Sequence, residues 1–248
     1  VRKLGKKEKI KNPHVFVATP AYDGKVHSEY AQSLAEASFT APLYGIKVTQ
    51  SVMGNGAFIE MARNIFVKIF LEDYPDCTHL FFIDSDLRFE ARAFIGLARA
   101  DLPICAGVYR RRQEPEDYPA KWTPHPELGG LWVEDNWLLH DRVPTGFLCI
   151  RRDIVEEMAK DAQQINLADQ DGPVPWLFYT KITDDKRFMG EDFAFSDDYV
   201  ARYKDPIPVW TDFDFTHAGY KCNYHQWLLK QVEKVEQEKK KADEKSAA

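Results

Sequence analysis

The sequence predicts an α/β protein built on a mostly parallel sheet flanked by helices. Three observations carry that expectation. Short, dense apolar runs alternate with segments of helical period through the first hundred residues. The runs are punctuated by Pro, Gly or Asp clusters, where strands give way to turns. The chain has 248 residues, of which 44% are hydrophobic and 29% charged, enough for a large core without disulfide or metal staples.

The elements follow in order. Residues 14–19 (HVFVAT) form a buried strand stopped by Pro20. Residues 27–41 place Tyr30, Leu34, Ala37 and Ala41 near helical spacing. Residues 45–53 are β-branched and alternating, a second strand, closed by a Gly54-Asn55-Gly56 turn. Residues 57–72 put Phe58, Met61, Ile65, Ile69 and Phe70 on one helical face. Residues 78–83 (THLFFI) are a third buried strand ending at Asp84-Ser85-Asp86; a helix over 90–100 and a strand over 104–109 follow. The second half is less regular. Strands are expected over 132–139, 142–151 and 208–215, with an antiparallel relation between the first two. Helices are expected over 153–162 and 191–203. Residues 164–188, rich in Asp, Gly, Pro and aromatics, read as a long functional loop.

Charge and cysteine usage exclude several classes. The balance of 33 basic and 39 acidic residues gives −6. Residues 1–11 hold six basic side chains and one acidic, and 230–248 are almost continuously charged; both are expected to be solvated extensions. The remaining body, 12–229, carries 21 basic and 33 acidic residues, near −12, which disfavours a general nucleic-acid binder. No apolar run approaches the roughly 20 residues of a membrane helix, and 1–11 lack the apolar region of a secretory signal. Cys77, Cys105, Cys149 and Cys222 are far apart and form no CxxC pair, so structural zinc and a disulfide framework are not expected, and a reducing, cytoplasmic setting is.

In open parallel sheets ligands sit at the carboxyl ends of the strands. Here those ends are Ala21-Tyr22-Asp23, Asp84-Ser85-Asp86 and Tyr109-Arg110. Two carboxylates two residues apart, just past a buried strand, can present oxygen ligands to Mg²⁺ or Mn²⁺, which in turn neutralises a diphosphate leaving group. The competing interpretation is a polar turn with Asp86 capping the next helix.

With Thr19-Pro20-Ala21-Tyr22-Asp23, Asp84-Ser85-Asp86, Thr145-Gly146, Gly190-Glu191-Asp192 and His217-Ala218-Gly219 in that order, the chain resembles the GT-A nucleotide-sugar glycosyltransferases, especially family-2-like members of bacteria and viruses, over roughly residues 14–219. The resemblance implies a Rossmann-like fold with a nucleotide-binding half (12–112) and a smaller, mixed acceptor half (113–229). It also implies a nucleotide-sugar donor, UDP-sugar favoured, with Mn²⁺ or Mg²⁺. It places Pro20, Ala21, Tyr22 and Asp23 around the base and ribose. Asp84 falls on the ribose or metal, with Ser85 between the two acids, and Asp86 and His217 fall on the metal. Gly146 lies beside the donor sugar. Asp192 becomes the general base of an inverting transfer, with Glu191 orienting it or contacting the acceptor. Arg63, on an amphipathic helix, can reach the nucleotide or the Asp84 and Asp86 carboxylates, because guanidinium matches both anions.

Retention stays open, because His217 to Lys221 is similar, one residue out of step, to the HxGxxK stretch of retaining relatives. The acceptor class is open as well: a glycan, a lipid-linked sugar or a hydroxylated base of phage DNA, with Arg110-Arg111-Arg112 and Arg151-Arg152 as candidate anion contacts. Trp176, Phe178 and Tyr179 suggest a lid. A nucleotidyltransferase and a non-catalytic sugar- or nucleic-acid-binding module are the readings from other classes.

Overall fold

A computed structural model describes residues 10–54 and 58–246. The expected Gly54-Asn55-Gly56 turn lies partly outside the described residues, as does nearly all of the basic extension. The strands are β1 (His14–Ala21), β2 (Lys47–Gly54), β3 (His79–Ile83), β4 (Leu87–Phe89), β5 (Ile104–Ala106), β6 (Lys121–Trp122), β7 (Val133–Glu134), β8 (Trp137–Arg142), β9 (Phe147–Arg151), β10 (Gln163–Asn166), β11 (Pro173–Trp176), β12 (Lys181–Ile182), β13 (Phe188–Met189), β14 (Ile207–Val209), β15 (Asp214–His217) and β16 (Tyr220–Asn223). The helices are α1 (Ser28–Thr40), α2 (Ile59–Glu72), α3 (Ala91–Arg99), α4 (Arg152–Asp161), α5 (Glu191–Tyr203) and α6 (Tyr224–Ser246).

The main sheet has nine strands among the described residues, in the order β2-β1-β3-β9-β5-β14-β8-β6, with β7 also paired to β8. β1 is parallel to β2 and β3, and β14 to β5; only β9 and β8 run against the rest. This is the Rossmann-like, mostly parallel α/β architecture expected, with strands of the second half inserted into the same sheet. Smaller antiparallel sheets pair β10 with β11, β12 with β13, and β4 and β16 with β15.

Alternation along the strands sends neighbouring side chains to opposite faces. Phe81 stacks on Phe94 of α3 at 5.1 Å, whereas Phe82 meets Phe178 edge-on at 5.3 Å on the other face. On that second face Phe16 packs against Phe66 and Phe70 of α2. Helices therefore cover both faces, and the four cysteines are buried and free. Among the described residues no helix is long and apolar enough to cross a membrane.

Several expectations need correction. The 132–139 segment is two strands, because Asp135 and Asn136 both take positive φ (47° and 68°) and form a two-residue hairpin turn. Thr145-Gly146 is a turn before β9 rather than strand interior, since Pro144 cannot donate to a ladder. The 104–109 strand stops at Ala106. The 208–215 strand is broken: β14 joins the main sheet and β15 leaves it, with the Trp210 ring packed between Trp137 and Phe213.

The long 164–188 segment holds two hairpins, and its aromatic centre is fixed rather than lid-like. Phe178 is fully buried and stacked on Phe195 at 4.4 Å. Asn64 of α2, also fully buried, accepts from the backbone N–H groups of Leu177 and Phe178 (2.8 and 2.9 Å) and donates to the Phe178 carbonyl. Arg151 and Arg152 do not face the strand ends either. Because β9 runs antiparallel to β3, Arg151 lies opposite His79, at the start of β3. Arg151 pairs with Asp153, and Arg152 donates to the carbonyls of Phe70, Tyr74 and Cys77, closing the end of α2.

Replacing Asn64 with Ala would leave buried backbone donors and an acceptor without partners. The expected loss is roughly 2–4 kcal/mol in urea unfolding, with proteolysis between residues 170 and 190 accelerated.

Candidate active site

The site forms where β3 ends. β3 delivers Asp84 from a fully buried strand, and the chain turns at once into β4, with the Leu87 N–H donating to the Asp84 carbonyl at 3.2 Å. β4 pairs with β15 so that Leu87 faces His217, and this brings Asp86 to the His217 ring. The unexpected strand β4 is thus what unites Asp86 with a residue 131 positions later in the chain.

Two groups of side chains result. In the inner group, the buried Arg63 donates through Nη1 to Glu191 and through Nη2 to Asp84 Oδ1 at 3.1 Å. Its guanidinium lies 6.0 Å from the Phe82 ring centre. Tyr109 donates its hydroxyl to Asp84 Oδ2 at 2.7 Å. The Asp84 backbone N–H donates to the Gly146 carbonyl at 3.0 Å. A Cβ on Gly146 would stand 2.0 Å from Asp84 Oδ2 and 2.1 Å from the Tyr109 oxygen, so glycine is required for this close approach.

In the outer group, Asp86 accepts from Arg112 at 2.8 Å and sits 3.5 Å from His217 Nε2. His217 Nδ1 is 2.8 Å from the Arg110 carbonyl, which can only accept, so Nδ1 carries the proton. Nε2 is therefore the ring nitrogen left to face the Asp86 carboxylate. Burial pushes Asp86 up, but the hydrogen bond and charge of His217, with Arg112 and His27, hold its carboxyl below the usual range.

Glu191 and Asp192 open α5, where the helix dipole favours negative charge. Burial, then the charge of Glu191, raise Asp192 to about 6, against the Phe193 N–H, Arg63 and Arg111. Burial, then the Asp84 charge, push the Tyr109 hydroxyl up, so it stays a donor. For Arg63 burial opposes the charge, but Asp84 and Glu191 prevail and keep it protonated.

The remaining expected residues line the rim. Pro20 and Ala21 are buried at the end of β1, Tyr22 is 78% exposed, and Asp23 pairs with Lys25. The Ser85 carbonyl accepts from the His27 N–H, tying the turn to the start of α1. Lys221 is exposed on β16, opposite Thr216. Among the described residues no three or more His, Cys, Asp or Glu side chains are gathered as a cation site. Asp86 and His217 are together, whereas both Asp84 oxygens are engaged within the inner group. Arg63 Nε and Thr145 Oγ1, both buried in segments that form the site, have no protein partner.

No protein-family model matches the sequence, and no curated protein does. Solved structures do resemble the fold. A197 from STIV is 15% identical, over 83% of this chain and 85% of that one, with a TM-score of 0.49. GalNAc-T7 with UDP, GalNAc and Mn²⁺ is 10% identical, over 85% of this chain and 44% of that one, with a TM-score of 0.43. The inositol-1-phosphate CTP transferase from T. maritima is 10% identical, over 85% and 90%, with a TM-score of 0.41. At such scores the function has to be read from the site itself.

Tyr109 was not singled out from sequence, although it lies at one of the strand ends that face the site. Its signal was position alone. Arg110, by contrast, is turned away: it is buried, donates to the Gln113 carbonyl and Glu114, and lies over the Tyr220 ring.

Gly146→Ala should push Asp84 and Tyr109 off their positions, at a cost raised by the edge contact of the Tyr109 ring with His217 at 4.8 Å. The expected loss is roughly 1–3 kcal/mol, read as a lower Tm. Asp192 gives the opposite sign. Its carboxyl ionises near pH 4 when unfolded and at about 6 when folded, so wild-type stability falls between those values. Asp192→Asn should match wild type below pH 4 and exceed it by at most about 3 kcal/mol above pH 6, in denaturant titrations across pH.

Proposed function

We propose that the protein is a divalent-metal-dependent glycosyltransferase. It moves a sugar from a nucleoside diphosphate sugar, UDP-sugar favoured, to an acceptor hydroxyl with inversion. The observation that carries this reading is the meeting of two groups at the end of β3: Asp192 beside the Arg63 clasp of Asp84 and Glu191, and a carboxylate–imidazole pair, Asp86 and His217, suited to a cation.

The fit to a metal rests on His217 and Asp86. His217 Nε2 and an Asp86 oxygen face each other 3.5 Å apart, where a cation would replace the proton between them, and Arg112, which now holds the other Asp86 oxygen, is 60% exposed. Asp86 and His217 would hold the ion, and a carboxylate with an imidazole suits Mn²⁺. Asp84, with both oxygens held by Arg63 and Tyr109, stays in the inner group. The ion's contribution is to neutralise the departing diphosphate.

The chain's own residues do the rest. Asp192 takes the proton from the acceptor hydroxyl as that oxygen attacks the anomeric carbon, and the bond from that carbon to the diphosphate oxygen breaks. Glu191, clasped by Arg63, keeps its charge beside Asp192 and so sustains the raised basicity of its neighbour. Gly146 lets the Asp84 carboxylate and the Tyr109 hydroxyl close against its backbone beside the proposed donor site, and Thr145 Oγ1 and Arg63 Nε are buried donors without a protein partner there. Tyr22 and Asp23, exposed at the end of β1, take the base and ribose.

The test is thermal shift and nucleotide release with UDP- and GDP-sugars. We expect a Mn²⁺-dependent shift with a UDP-sugar that is lost in Asp86→Ala and His217→Ala. Asp192→Asn should keep the shift but lower kcat by about 10²–10⁴-fold. In the wild type kcat/KM should rise with pH through an apparent pKa near 6. No metal-dependent shift with any nucleotide sugar would reject the reading. Release of pyrophosphate from a nucleoside triphosphate would point to a nucleotidyltransferase.

A further inference from the structure

Beside Asp192 lies a cavity of about 540 Å³, within the usual roughly 300–1,000 Å³ of small-molecule sites. Its wall includes three arginines: Arg111, Arg142 and Arg187. Three cations next to a catalytic base suggest an anionic acceptor, but the pairing contradicts that. Arg111 Nε donates to Asp117 at 2.9 Å, Arg142 donates twice to Asp197 at 2.6 and 3.0 Å, and Arg187 Nε lies 2.8 Å from Asp185. Three arginines meet three carboxylates, Lys181 stands 3.8 Å from Asp197 and Asp192 adds a further acid, so the charges around the cavity balance.

Phosphate-backbone binding draws its affinity from cations that are free to neutralise phosphates. Here each arginine is already matched by a carboxylate, so an incoming phosphate meets no net positive charge and lies beside acids that repel it. A neutral polyol meets no such penalty. Its hydroxyls can donate to the spare lone pairs of Asp185 and accept from the unused guanidinium N–H groups, while the ion pairs stay intact.

The apolar part of the wall agrees. Phe188 is 71% exposed, and its cross-strand partner Ile182 is 66% exposed, so β12 and β13 present an uncovered apolar face at the cavity's edge. Phe193 lies on the far side with the Arg142 guanidinium 5.5 Å from its ring centre. Aromatic faces beside fixed polar forks are complementary to a pyranose, which has an apolar C–H face and a polar equatorial edge.

We infer that this cavity is the acceptor subsite and that it takes a neutral carbohydrate, such as the terminal residue of a glycan, rather than a nucleic acid or a sugar phosphate. The inference rests on the transferase reading for its role, but binding alone can test it. Saturation-transfer NMR on the full chain would use methyl glycosides and short neutral oligosaccharides as probes. Hexose 6-phosphates and a duplex oligonucleotide carrying hydroxymethylcytosine would be the anionic probes, each at 0.05 and 0.3 M NaCl.

The expected result is binding of neutral glycosides that changes less than twofold with salt. It should weaken at least fivefold in Phe188→Ala and be restored by Phe188→Trp. The inference is overturned by three outcomes: no glycoside binds, glycoside binding survives Phe188→Ala, or the phosphate or DNA probe binds more tightly and weakens steeply with salt. Glycoside binding without any nucleotide-sugar thermal shift would sink the transfer reading and leave a carbohydrate-binding pocket. A metal-dependent donor shift without glycoside binding would do the reverse.

Discussion

Arg63 carries a full positive charge into a place where water barely reaches, and the rest of the site is arranged around that fact. Its helix, α2, packs behind β1 and β3, so the guanidinium emerges beneath the strand ends with 3% of its residue surface exposed. Such a charge is tolerated only when it is paired and hydrogen-bonded. Asp84 supplies one partner from the end of β3, and Glu191 the other from the start of α5. Removing the guanidinium would leave Asp84, Glu191 and Asp192 facing one another without a neutralising centre. The clasp therefore joins the regular first half of the chain to the less regular second half at the point where chemistry is proposed, and fixes both acids before any ligand arrives.

The two aspartates of the Asp84-Ser85-Asp86 stretch divide the labour. Strand alternation would send residues two apart to one side, but the chain turns between them, so they meet different partners. Asp84 looks inward and has both oxygens engaged. Asp86 looks outward to an imidazole and to an exposed arginine. The inner acid is the less able to exchange partners, because Arg63 and Tyr109 are both buried. The outer one can do so by losing a single exposed side chain.

Much of this was legible in the sequence because it rests on local rules. The buried run before Asp84 and the acids opening α5 are strand-end and helix-start signals, and the boundaries of α5 agree with the periodicity. What escaped depends on distant parts of the chain. β4 has only three residues, and it exists because β15 pairs with it. The reversed direction of β9 is set by its neighbours β3 and β5, and that reversal carries Arg151 and Arg152 to the opposite end of the sheet. Asn64 looked like an ordinary helix residue, yet it pins the 177–178 backbone from 113 positions away. Tyr109 sits in a segment without regular hydrogen bonding, so neither period nor propensity marked it.

The adjacent arginines 110–112 show how finely charge is sorted. Arg110 turns into the fold against Glu114, Arg111 faces the Asp192 side and is held by Asp117, and Arg112 reaches Asp86. None of these three is left unpaired. The same holds for Arg63 and for the two other arginines near Asp192. On the transferase reading this has a consequence for the donor. A diphosphate entering beside Asp84, Asp86, Glu191 and Asp192 would add negative charge where the resident cations are already committed, in a body near −12 overall. Arg112, beside Asp86, is exposed enough to be redirected, but if it moves to the diphosphate it abandons that carboxylate. On that reading a divalent cation held by Asp86 and His217 would offset the charge the donor adds, and Arg112 would be released to the diphosphate.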